Sequence, residues 1–108
     1  MLTVSSPVLY DRLVSLTAAG EIDIATIEPL DTAMHDAVAR DDVTTVVIDF
    51  HAVTFCDHSG IDALQRAHAA ATARGITFRL IHVAPPVRRV LDIVGMLDML
   101  TRATPNTS

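Results

Sequence analysis

The sequence predicts an α/β domain with a mixed sheet of four to five strands and three to four helices, packed mainly on one face. Three observations predict it. Val46-Val47-Ile48-Asp49-Phe50 is a β-branched apolar run of strand length, amphipathic stretches with apolar residues at steps of three and four precede and follow it, and a second apolar run, Ile76 to Val83, comes after them. Strands alternating with helices argue for an α/β sheet.

At 108 residues the chain is expected to form one domain over its whole length, large enough for a core without disulfides or metal. No apolar run approaches the roughly 18 residues of a membrane span, and the opening Met1-Leu2-Thr3-Val4-Ser5-Ser6-Pro7 lacks the basic and apolar regions of a signal peptide. The expectation is therefore a soluble cytoplasmic protein. Net charge is −5, and Arg88-Arg89 is the sole basic pair. Nucleic-acid binding and membrane insertion are not expected, because neutralising phosphates requires clustered cations.

Val8 to Thr17 fits either one long bent strand or a hairpin turning at Asp11-Arg12. The strand is expected to end near Ala19, since Gly20 marks a turn. A helix follows over about Thr26 to Arg40, with Thr26 as N-cap and Pro29 in the first turn, where a missing N–H does no harm. Its apolar stripe is Ile27, Leu30, Met34, Ala37 and Val38, with Asp31, His35 and Asp36 facing away. Val46 to Phe50 lacks alternation, which predicts a central strand covered on both faces. It runs into a short loop that delivers Asp57-His58-Ser59-Gly60 to the start of a helix.

A second helix starts at Asp57-His58-Ser59-Gly60 and ends near Arg74-Gly75, with Ile61, Leu64, His68 and Ala71 as its stripe and alanines beside it. Strand Ile76 to Val83 is expected to turn Phe78, Leu80 and His82 to one face. Pro85-Pro86 opens a third helix, Val87 to about Val94, apolar at Val87, Val90, Leu91 and Val94 and stopped by Gly95. Met96 to Leu100 reads as a short edge strand or helical turn, and residues 103–108 as a frayed tail.

The chemistry-bearing stretch is Asp57-His58-Ser59-Gly60. Free N–H groups and the helix dipole make such a helix start receptive to anions, and Asp57 can cap it. These residues contain the three side chains of a hydrolase triad, but consecutive helical residues point about 100° apart and cannot line up. The residue two before Ser59 is Asp57, so there is no nucleophile elbow either. His51, Asp57 and His58 lack zinc-ligand spacing. Cys56 is the single cysteine and reads as a small buried hydrophobe rather than a redox sensor. A non-enzymatic binding module without metal or cofactor is the expectation.

Gly20-Glu21-Ile22-Asp23, Val46 to Phe50, Val53-Thr54-Phe55-Cys56-Asp57-His58-Ser59-Gly60-Ile61, Pro85 to Leu91 and Gly95-Met96 together resemble the anti-sigma factor antagonists of the STAS domain family, over nearly the whole chain. The resemblance implies binding to an anti-sigma factor with a GHKL-type kinase fold, release of a sigma factor, inactivation by serine phosphorylation and restoration by a phosphatase. It also implies a monomer or weak homodimer. The implied contact residues are Glu21, Asp23, Cys56, Asp57, His58, Ser59, Gly60 and Ile61, with Gly95 and Met96 in a loop beside the corner. In the family the acceptor serine directly follows the signature aspartate; here that residue is His58. Three regulatory outcomes follow: Ser59 takes over as acceptor, regulation dispenses with phosphorylation, or His58 itself senses pH or takes phosphate. A STAS subunit of a transporter or signalling complex is the alternative within the same fold.

Overall fold

The computed structural model describes residues 1–101. Its elements run β1 (Leu2–Val4), β2 (Val8–Tyr10), β3 (Leu13–Ile22), α1 (Ile27–Val38), β4 (Thr45–Cys56), α2 (His58–Ala73), β5 (Thr77–Ile81), α3 (Pro85–Ile93) and α4 (Leu97–Thr101). The sheet order is β1-β3-β4-β5, with β2 also paired to β3. β3, β4 and β5 are parallel, while β1 and β2 pair antiparallel with opposite ends of β3. The sheet is thus mixed and five-stranded, as expected.

The Asp11-Arg12 ambiguity resolves as a hairpin, both residues adopting positive φ of 48° and 69°. The strand beyond it does not stop near Ala19. It continues to Ile22, and Gly20 sits inside it at φ +113°, where a side chain would strike the Met1 carbonyl. Glycine here admits a neighbouring strand rather than turning the chain.

β4 is central, but only one of its faces is covered by helices. Val46, Ile48 and Phe50 are fully buried beside Val14, Leu16, Phe78 and Leu80. Asp49 on the opposite face stays partly exposed. Val47 is nevertheless buried, standing between Ser15 and Arg79 in the paired rows. The absence of alternation therefore reflects shielding within the sheet, not a second layer. β4 also extends through the expected loop to Cys56, paired with β3 there across two register shifts.

One core gathers these strand residues with Leu30 and Met34 of α1, Ala63 and Leu64 of α2, Leu91 of α3 and Leu100 of α4. Each large apolar side chain buried there contributes about 1.5–3 kcal/mol. On α2 the buried positions are Gly60, Ala63, Leu64, Ala67 and Ala71; small residues at this spacing let the helix lie close to the sheet. Ile61 and His68 of the expected stripe are only half-buried. On α3, Val87 and Leu91 are buried whereas Val94 is exposed. His82 leaves the expected face of β5: at φ +55° it turns outward, exposed, with Nδ1 3.2 Å from Asp49 Oδ2. Met96 to Leu100 resolves as helix, led by the Met96 turn into α4. The tail expected to fray, 103–108, lies outside the described residues.

Candidate functional site

Parallel pairing of β3 and β4 delivers their carboxyl ends to one edge, so the helices that follow both strands start side by side. The last rung pairs Ile22 with Cys56, and the Asp57 amide donates to the Ile22 carbonyl at 3.1 Å. From that rung the chain enters α1 through Asp23 and α2 through Asp57.

At the α2 start Asp57 is extended (φ −94°, ψ −172°) and caps the helix. Its Oδ1 accepts from the Ser59 amide at 3.0 Å, from the Gly60 amide at 3.4 Å and from the Ser59 hydroxyl. The Ser59 hydroxyl bond, with the two amides, holds the Asp57 carboxyl below the ordinary carboxylate range, against a smaller opposing effect of desolvation. The half-buried Ser59 therefore directs its proton straight to Asp57, with no imidazole between them. His58 is exposed as the first helical residue. The triad geometry that the three residue types suggest does not form.

Beneath this turn Gly60 is buried against the strand ends: a Cβ on it would lie 2.5 Å from Cys56 Sγ and 2.6 Å from Ile22 Cγ2. Cys56 is 4 % exposed, and burial, aided by the Asp57 charge, pushes its thiol up to about 12. Neither residue presents itself at the surface. They form the floor on which Asp57, His58 and Ser59 stand, with Ile61 half-buried behind them.

The neighbouring helix start is built differently from the expectation. Thr26 makes no forward side-chain cap bond. Asp23 caps instead, its Oδ1 accepting from the Ala25 and Thr26 amides at 2.9 and 3.1 Å. Thr26 Oγ1 reciprocates by accepting from the Asp23 amide at 2.9 Å and donating to the Glu21 carbonyl at 2.8 Å. This is the logic of a capping box, displaced three residues upstream of the regular helix. Glu21 is exposed, with its carboxylate 3.6 Å from the Met1 amine.

Gly95 and Met96 are not brought to this corner. Gly95 lines a cleft of about 450 Å³ with His68, Thr72, Phe78, Asp98 and Met99, against the far half of α2. Thr72 is thirteen residues beyond Ser59, roughly 20 Å along a helix. The reason is topological: α3 leaves the carboxyl end of β5 and runs back, so its C-terminus arrives at the opposite edge of the sheet. Met96 is buried in the core there. In that cleft His68 packs edge-on against Phe78, ring centroids 6.3 Å apart, and burial lowers its pKa.

Two side chains at the corner escaped sequence reasoning. Ile24 is 80 % exposed and Phe55 49 % exposed. Ile24 had a legible signal, being an apolar residue outside the α1 stripe; the outward direction of Phe55 depends on the register shifts in β4.

The STAS domain family model matches residues 6–107. An anti-sigma F factor antagonist from Paenibacillus polymyxa is 26% identical over 82 residues, which is 76% of this chain and 70% of that protein. Among solved structures, an anti-sigma factor antagonist from Mycobacterium paratuberculosis superposes with TM-score 0.81 at 26% identity, covering 94% of this chain and 84% of that one. The unphosphorylated anti-sigma factor antagonist SpoIIAA superposes with TM-score 0.76 at 22% identity, covering 96% and 89% respectively; at that identity the likeness speaks to fold.

Proposed function

The chain belongs to the STAS domain family, and we propose that it is an anti-sigma factor antagonist, a non-enzymatic module that binds a kinase-like anti-sigma factor and thereby frees a sigma factor. The observation that carries this reading is the corner itself. The stretch matching the family signature folds into an Asp57-capped helix start that presents His58 and Ser59 beside a second capped start at Asp23. Antagonists are also what the relatives with 26% identity are. Among the described residues no helix is long and apolar enough to cross a membrane.

Regulation at this corner departs from serine phosphorylation at the family position, which His58 occupies. Phosphorylation of Ser59 would cost the bond that its hydroxyl donates to the Asp57 carboxylate. A phosphate there would set a charge of about −1.5 to −2 against that carboxylate. This repulsion favours antagonism controlled by protein level or by a ligand, without phosphorylation.

Titration calorimetry against the kinase-like anti-sigma factors of the source organism tests the binding claim, and mass spectrometry after incubation with the bound factor and ATP tests the regulatory one. Binding by the parent, loss of affinity in Ser59→Glu, and phosphate acquired by His58→Ser but not by the parent are expected. Absence of binding to every such factor refutes antagonism; a phosphorylated Ser59 in the parent refutes phosphorylation-independent control.

A further inference from the structure

The corner exposes two large apolar side chains, Ile24 and Phe55. Ile24 sits in the turn between β3 and α1, flanked on both sides by the reciprocal Asp23–Thr26 bonds that fix its backbone. Phe55 is held by strand pairing opposite Glu21. Both are therefore ordered before any partner arrives, which reduces the entropy lost on binding. Around them stand the carboxylates of Glu21, Asp23 and Asp57; the Met1 amine lies 3.6 Å from Glu21, but residues 19–27 and 52–61 contain no arginine or lysine, so the corner is net acidic. The other exposed apolar stretches differ in charge: β2 adjoins Arg12, and α3 carries Arg88 and Arg89.

An apolar centre with a polar rim is the anatomy of a protein docking surface. We infer that Ile24 and Phe55 are the apolar anchors of this corner and that they seat in an apolar slot bordered by lysine or arginine side chains on a protein partner. The inference rests on the antagonist reading, which supplies the partner: the kinase-like anti-sigma factor that binds the parent chain. The acidic rim steers and orients that partner, while the two apolar side chains provide most of the contact energy.

The test is titration calorimetry of that factor against the parent and the variants Ile24→Ser, Phe55→Ser, Glu21→Gln and Tyr10→Ser, the last a control on β2 at 78 % exposure. Ile24→Ser and Phe55→Ser are each expected to weaken binding by about tenfold or more, with the salt dependence unchanged. Glu21→Gln is expected to flatten the loss of affinity with added salt, and Tyr10→Ser to stay within about twofold. Because Phe55 is half-buried, melting temperatures are recorded alongside, and Ile24→Ser decides the matter if Phe55→Ser unfolds. Affinity of Ile24→Ser within about twofold of the parent, while Ser59→Glu still abolishes binding, overturns the anchor proposal and leaves antagonism standing. A parent that binds no kinase-like anti-sigma factor overturns both.

Discussion

Replacing Gly60 with alanine separates two opposing physical effects at the corner. Helix propensity alone favours the change by about 0.5–1 kcal/mol, since glycine is costly inside a helix. Packing opposes it. The new methyl would lie 2.5 Å from Cys56 Sγ and 2.6 Å from Ile22 Cγ2, about 1 Å inside ordinary contact. Both neighbours are core residues, at 4% and 0% exposure, so neither can swing into solvent. The first turn of α2 must lift, or both side chains must leave their rotamers, at about 1–3 kcal/mol. The difference is a loss of up to about 2.5 kcal/mol, centred on about 1 kcal/mol, or roughly 5 °C in melting temperature for a domain of this size. Calorimetric melting and urea titration measure it. In a double-mutant cycle, Cys56→Ala should relieve part of the loss, giving a coupling of at least about 0.5 kcal/mol. A Gly60→Ala protein that melts at or above the parent temperature refutes the reasoning, because propensity would then outweigh the contact.

Asp57→Asn keeps a capping oxygen but removes the negative charge at the helix start, so it should cost about 0.3–1 kcal/mol at neutral pH, and the difference should depend on pH. The folded Asp57 carboxyl is held below its unfolded value, first by the Ser59 hydroxyl. Its stabilisation is present above the unfolded value of about 3.9 and disappears as pH falls through the folded one. Urea midpoints of the two proteins should therefore converge in acid; a constant gap argues against the carboxylate as cap. For Cys56, a thiol near 12 in place of its ordinary 9 leaves roughly a thousandfold less thiolate at pH 8. Alkylation should be slow in the native protein and fast in denaturant, and equal rates would place the thiol at the surface. The sign is opposite to that of Asp57: the raised thiol adds stability below its unfolded value and loses it as pH climbs towards the folded one.

The helices were the more legible part of the chain. The stripe of Leu30, Met34, Ala37 and Val38 and the Gly75 stop can be read locally because a helix closes its own hydrogen bonds. Strands are completed by partners remote in sequence. Leu2–Val4 is too short to announce itself, and Gly20 reads as a turn until the Met1 carbonyl is seen against it. Val47 looks like half of a two-sided core because its shielding comes from Ser15 and Arg79, thirty-two residues away on either side in the sequence.

The alternation of strands and helices through the middle of the chain, the family and the capping role of Asp57 were determined by the sequence itself, through periodicity, a dense motif and the side-chain chemistry of a helix start. The Asp23 cap on the neighbouring helix and the Ser59 hydroxyl bond to Asp57 span only two or three residues, whereas only the tertiary structure decided that Gly60 and Cys56 form a buried floor against Ile22. It also decided that Gly95 and Met96 stand at the other end of α2. Parallel pairing of β3 with β4 is what brings two helix starts together, and the return of α3 from β5 is what carries Gly95 away. Those long-range pairings are set by packing across the sheet, to which no local stretch of sequence gives access.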